Sequence, residues 1–222
     1  PAQDQHGEGQ NTERGAGEKH LRRIADIMRM RRAACHPNLV DAAVGFTSSA
    51  KLEMFGEILD ELLDNGHKAL VFSQFVGHLK ILEAYVKNKN IPYQYLDGQT
   101  PASLRQKRID AFQSGEGDLF LISLKAGGTG LNLTAADYVI HTDPWWNPAV
   151  EDQASNRAHR FGQERPVTVY RLVTRGTIEE KIVELHAKTR ELADDLLEGG
   201  EMSGRLSAAE LLGLIQMPRV GE

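Results

Sequence analysis

Leu119-Phe120-Leu121-Ile122-Ser123-Leu124-Lys125-Ala126-Gly127-Gly128-Thr129-Gly130-Leu131-Asn132 is an apolar run that ends in a glycine-rich loop. Continuous apolar character over Leu119 to Ser123 predicts a short strand buried on both faces, the kind found in parallel sheets. Glycines directly after such a strand let the backbone approach a ligand closely and present amide N–H groups to it. A dinucleotide fingerprint needs glycine, one residue, glycine, two residues, glycine. Counting from Gly128 reaches Gly130 and then Leu133, so the last glycine is missing. The stretch is either a ligand loop at the carboxyl end of a strand or a tight strand-to-helix turn.

Outward from this strand, short apolar runs alternate with helical periods. Ala69 to Phe72, Tyr93 to Leu96, Tyr138 to His141 and Val167 to Leu172 read as further strands. Between them, Leu79, Leu82 and Val86 mark one helix, Ser103 to Phe112 a second opened by a capping serine, and Asn147 to His159 a third. Such alternation predicts an α/β fold with three layers: a mainly parallel sheet, right-handed crossovers and helices on both faces. Ligands of such sheets sit in loops at the carboxyl ends of strands.

The flanks differ. Pro1 to Gly17 is polar and glycine-rich and reads as a disordered tail. A helix runs from Glu18 to Ala34, with Leu21, Ile24 and Met28 on one stripe, and is stopped at Cys35-His36-Pro37-Asn38. A second helix, from about Lys51 to Leu63, carries Leu52, Phe55, Leu59 and Leu62 and ends at Asn65-Gly66. Beyond Gly176, Ile178, Ile182, Leu185, Leu192 and Leu196 follow helical spacing, and Ser207 to Glu210 fits a capping box opening a last helix. The divisions are 1–17 as tail, 18–50 as junction helix and Cys-His-Pro loop, 51–175 as the α/β lobe, and 176–222 as C-terminal helices.

The chain has 222 residues, 41% of them hydrophobic, enough for one large domain with helical additions. No stretch approaches the ~20 apolar residues of a membrane span, and the start holds no secretory signal. Cys35 is the only cysteine, which excludes an internal disulfide and points to an intracellular protein. Lys and Arg total 26 against 31 Asp and Glu, a net charge of −5. A compact DNA-binding domain usually carries a basic surplus, so any nucleic-acid contact must be a local basic strip on an acidic body.

Two further stretches carry chemistry. Asp143-Pro144-Trp145-Trp146-Asn147-Pro148 places both tryptophans of the chain in one loop stiffened by prolines. Adjacent indoles point in different directions, so one is expected to plug the core and the other to face a nucleic-acid backbone or the neighbouring helix. On a helix, Gln153, Arg157 and Arg160 fall at i, i+4 and i+7, one face. Two forked guanidiniums there suit the spread charge of a phosphoryl group in transfer; the bland alternative is salt bridging to surface carboxylates.

Together these stretches resemble the second, C-terminal RecA-like lobe of SWI/SNF-type chromatin-remodelling ATPases, within the superfamily two helicases. Val71-Phe72-Ser73-Gln74-Phe75, Asp97-Gly98-Gln99-Thr100, Lys125 to Leu133, Asp143 to Pro148 and Gln153 to Gln163 match the family's motifs in order. Thr177 to Ile182 and Arg32 to Leu39 resemble its flanking segments. Adjacent Cys35 and His36, without a second pair, make a poor zinc site, so no metal site is read in this chain. Lys125, Thr129 and Phe161 replace a more usual arginine, leucine and isoleucine, without loss of a charge or a glycine.

The resemblance implies a DNA-dependent ATPase whose phosphate loop lies elsewhere, since nothing here fits G-x-x-x-x-G-K-[ST] or the acidic magnesium box. ATP with Mg²⁺, held mainly by a missing first RecA-like lobe, would sit in a shared cleft. Arg157 and Arg160 would act as arginine fingers oriented by Gln153, with Gly128, Gly130 and Asn132 on the nucleotide. Ser73, Gln74, Thr100, Arg105, Lys125, Ala126 and Trp146 would hold the backbone of double-stranded DNA. The chain alone would be inactive. The other readings are a non-catalytic DNA- or partner-binding module and an RNA helicase lobe. The composition fits a prokaryotic source, hence cytoplasm or nucleoid; a eukaryotic source would imply the nucleus.

Overall fold

In the computed structural model, residues 7–126 and 131–197 are described, with side-chain surroundings given between 21 and 188. The sheet has five parallel strands in the order β2-β3-β1-β4-β5. They are β1 Ala69–Ser73, β2 Tyr93–Leu96, β3 Leu119–Ser123, β4 Tyr138–His141 and β5 Thr168–Arg171. Every residue of β1 and β3 is buried, as expected for central strands covered on both faces.

Helices α2 (Ala50–Asp64) and α3 (Val76–Asn88) cover one face. There Phe55, Leu59, Leu79, Leu82 and Val86 pack on Val71, Leu119, Leu121 and Ile140. Gly56 lets the two helices close up, because a Cβ there would lie 2.1 Å from the Tyr85 hydroxyl. Helices α4 (Ala102–Gln113) and α5 (Pro148–Ser155) cover the other face. Ile109, Phe112 and Ala154 meet Leu70, Phe72, Phe120, Ile122 and Val139 there. Two long helices flank this body: α1, Gly7–Cys35, and α6, Ile178–Leu197.

The strands match the apolar runs; three helix ends do not match the sequence reading. Helix α1 begins at Gly7, within the stretch read as a tail. Glu8, Gln10, Glu13, Arg14 and Ala16 are adequate helix formers, and a helix anchored at its far end propagates through them despite the intervening glycines. Helix α4 begins at Ala102 with Pro101 as its N-cap and no side-chain cap bond, so Ser103 is inside the first turn instead of capping it. The Pro101 carbonyl accepts the first helical bond, from Arg105 N at 2.9 Å, and no side chain caps the first turn. Helix α5 stops at Ser155, short of the expected His159. Past it, Arg157 N bonds Ala154 O in a tighter turn, and the Arg157 carbonyl accepts from Leu133 N at 3.0 Å. The expected helix at Ser207 lies outside the described residues.

Candidate nucleotide and nucleic-acid interface

All strands run the same way, so the ends of β1, β2, β3 and β4 present their loops along one edge of the sheet. Adjacent β1 and β4 send their chains to opposite faces, β1 into α3 and β4 into α5, which opens a crevice between them. Asp143 lies in it, 4% exposed. Its carboxylate accepts from Ser73 Oγ at 2.5 Å and from Gln74 N at 3.1 Å. Burial pushes this carboxyl up, against the hydrogen bond from Ser73 and the charge of Arg31.

Arg31, from α1, closes the crevice and is fully buried. It donates to Pro144 O at 2.6 Å, and its guanidinium carbon lies 5.4, 5.6 and 4.7 Å from the rings of Phe75, Trp145 and Trp146. Both tryptophans are half-buried against one cation, which corrects the expectation that one ring plugs the core while the other faces outward. Burial lowers the Arg31 guanidinium although Asp143 opposes that, so desolvation outweighs attraction for both partners.

Around this loop α1 and α6 are fastened to the lobe by buried polar groups. Lys51 donates to both oxygens of Glu179 at 2.6 Å, the two side chains being only 2% and 1% exposed. Burial pushes the Glu179 carboxyl up, against the charge of Lys51. Thr174 Oγ1 donates to Ala34 O at 2.8 Å, and His186 bonds the carbonyl of Trp145. Trp145 N and Arg171 Nε donate to the two oxygens of buried Glu151, at 2.7 and 2.6 Å. Cys35, His78 and Asp143 bring ligand atoms within 4.8 Å of one another. Burial pushes the Cys35 thiol up, Lys51 and Arg31 add positive charge beside it, and Asp143 already serves Ser73 and Gln74. This cluster is a packed polar core and a poor place for a cation.

Of the expected nucleotide residues, Gly128 and Gly130 lie outside the described residues, and Asn132 is exposed. The segment after them is joined to the arginine turn through Leu133 N and Arg157 O. Arg157 is 5% exposed, and burial and then the like charge of Arg160 lower its guanidinium. Arg160 is exposed. The two arginines are therefore neighbours beside the exit of the glycine loop, held by turns instead of the single helical face expected. Gln153 stays behind on α5, exposed.

Of the expected nucleic-acid residues, Ser73 is 1% exposed and its hydroxyl is used on Asp143, so it fixes the loop and does not reach the surface. Ala126 is also buried, and its carbonyl accepts from Arg105 at 2.9 Å, which unites those two. Thr100 Oγ1 is tied to Asp97 at 3.1 Å. Gln74 and Trp146 are half-buried and Lys125 is exposed. Sequence reading did not single out Arg31, and it met Asp143 and Gln163 only as the ends of motif stretches.

The chain matches the helicase conserved C-terminal domain over residues 50–162. It is 37% identical over 214 residues to the mouse SWI/SNF-related matrix-associated actin-dependent regulator of chromatin subfamily A member 1, covering 88% of this chain and 20% of that protein. Against the chromatin-remodeling ATPase INO80 of Neurospora crassa it is 44% identical over 155 residues, 69% of this chain and 8% of that protein. The solved Sulfolobus solfataricus SWI2/SNF2 ATPase C-terminal domain superposes with a TM-score of 0.68 at 33% identity, over 90% of this chain and 84% of that one.

This chain belongs to the SWI2/SNF2 helicase family, as its C-terminal RecA-like lobe.

The C-terminal part of the Fun30 ATPase domain is similar too, with a TM-score of 0.64 and 30% identity over 82% of this chain and 59% of that one. The SWI2/SNF2 lobe seen here spans a fifth of the mouse relative and less of the INO80 protein. Among its described residues, no helix is long and apolar enough to cross a membrane.

Proposed function

We propose that this lobe is the second half of an ATP-driven translocase on double-stranded DNA, and that it contributes arginine fingers to a nucleotide shared with a first RecA-like lobe. One observation carries the reading: buried Arg157 has the like charge of Arg160 beside it, while its carbonyl is bonded to the exit of the glycine loop. Two nearby guanidiniums, one of them desolvated, suit an anion such as a phosphoryl group.

ATP, with a magnesium held mainly by the first lobe, supplies the phosphoryl group whose transfer drives the cycle. From this lobe Arg157 and Arg160 stabilise charge developing on the transferred group, and Asn132, with Gly128 and Gly130, borders the nucleotide. Along the sheet edge Gln74, Thr100, Arg105, Lys125 and Trp146 meet the DNA backbone, with Ser73 and Ala126 shaping the loops that carry them. Phosphate contacts of this kind are sequence-tolerant and weaken as salt rises. Residues 51–175 form the motor lobe, with 18–50 and 176–222 as its flanking braces. In a eukaryotic cell such a motor would work in the nucleus, in a prokaryote on the nucleoid.

Reconstitution tests the proposal. The isolated lobe should hydrolyse no ATP, and mixing it with the first lobe of its parent protein should give turnover that duplex DNA stimulates more than RNA does. Hydrolysis by the lobe alone, or equal stimulation by RNA, would contradict it.

A further inference from the structure

Arg160 to Gln163 form a tight turn: Gln163 N donates to Arg160 O at 3.0 Å, and Gly162 has φ +100°. A side chain is strained at that φ, which is why glycine stands there. The turn throws Phe161 fully into solvent and leaves Arg160 exposed. Gln163 points the other way. Its amide nitrogen donates to Ala136 O at 2.7 Å, Thr134 O at 3.1 Å and Ala158 O at 3.2 Å, and its Oε1 accepts from Arg165 N at 3.0 Å.

The carbonyls it gathers belong to two separate segments. Thr134 and Ala136 follow the glycine loop and lead into β4; Ala158 sits between Arg157 and Arg160. Leu133 N, bonded to Arg157 O, is a second tie between the same segments. Without regular helix past Ser155, the arginine turn depends on such cross-ties for its position.

Resting on the arginine-finger reading, we propose that Gln163 is the positioning residue of the pair, a strut that locks the turn carrying Arg157 and Arg160 to the segment leaving the glycine loop. Exposed Gln153 makes no such tie among the described residues. Only a neutral amide fits: its NH₂ serves the carbonyls while its oxygen serves Arg165 N. A carboxylate would set oxygen against three carbonyl oxygens, and a thioether would leave them without a donor.

The test compares Gln163→Glu, Gln163→Met and Arg160→Ala in the full-length parent protein, reading DNA-stimulated kcat, KM for ATP, duplex DNA affinity and melting temperature. A finger displaced by about an ångström costs on the order of 10²-fold in rate. Both Gln163 variants should lose about that much kcat, with KM and DNA affinity close to wild type and a melting temperature lowered by only a few degrees, about 2–4 °C per kcal/mol. Wild-type kcat in Gln163→Glu alongside a dead Arg160→Ala would overturn the strut alone. A loss of kcat that tracks a loss of melting temperature and DNA affinity would reduce Gln163 to a folding role and overturn it too. Turnover surviving Arg160→Ala would remove the finger reading and the strut with it.

Discussion

Arg31 donates to the carbonyl of Pro144 at 2.6 Å, across more than a hundred residues of chain, and so fastens the helix preceding the lobe to the loop that carries both tryptophans. Its guanidinium is fully buried against the rings of Phe75, Trp145 and Trp146, and its removal leaves the Pro144 carbonyl without a donor. Arg31→Met should destabilise the chain by about 1.5–3 kcal/mol, the usual worth of a hydrogen bond from a charged group. Urea unfolding measures this. Trp146→Ala, which keeps the Pro144 bond and Asp143, should cost less.

Lys51 and Glu179 form a buried ion pair between α2 and α6. Lys51→Met should cost about 3–5 kcal/mol in urea unfolding, the usual cost of leaving one member of a buried ion pair. The double variant Lys51→Met, Glu179→Leu should recover part of it, since Glu179 is no longer left buried without its cation. Recovery is incomplete because Thr174 N loses the Glu179 oxygen it donates to.

Acid should act through His141, whose ring is stacked on Phe72 and bonded to Ser155 Oγ at 2.9 Å. Burial lowers it to about 4. The unfolded chain binds a proton near the ordinary histidine value of about 6.5 and the folded chain refuses it. The stability this group contributes is therefore complete above that value and is lost as pH falls toward 4, by about 1.4 kcal/mol per pH unit. Unfolding of His141→Asn, followed between pH 6.5 and 4, should show a pH dependence shallower than wild type by that amount.

Gly162→Ala forces a side chain into φ +100°. It should cost about 1–2 kcal/mol and open the arginine turn, lowering DNA-stimulated turnover of the full-length protein.

How far the sequence could be read depended on whether the deciding contact was local. Leu119 to Ser123 announced a buried strand because burial on both faces writes itself as unbroken apolar character. The end of α5 did not announce itself: Asn156 to His159 contain no breaker, and it is the distant Leu133 that draws off the Arg157 carbonyl. Ser73 looked like a surface hydroxyl at a strand end, since nothing beside it reveals the Asp143 carboxylate it serves. Arg31 sits among Arg29, Arg32 and other cations of one helix, and only the folded aromatic loop singles it out. Motif order identified the lobe; side-chain direction within each motif needed the fold.

The most direct test of the arginine pair is turnover by the full-length protein carrying Arg160→Ala, measured with saturating ATP and duplex DNA beside a DNA-binding titration. A finger arginine is worth about 10³–10⁵ in rate, so hydrolysis should vanish into background while DNA affinity stays near wild type. Turnover within a few-fold of wild type would contradict the placement of these guanidiniums at a shared nucleotide.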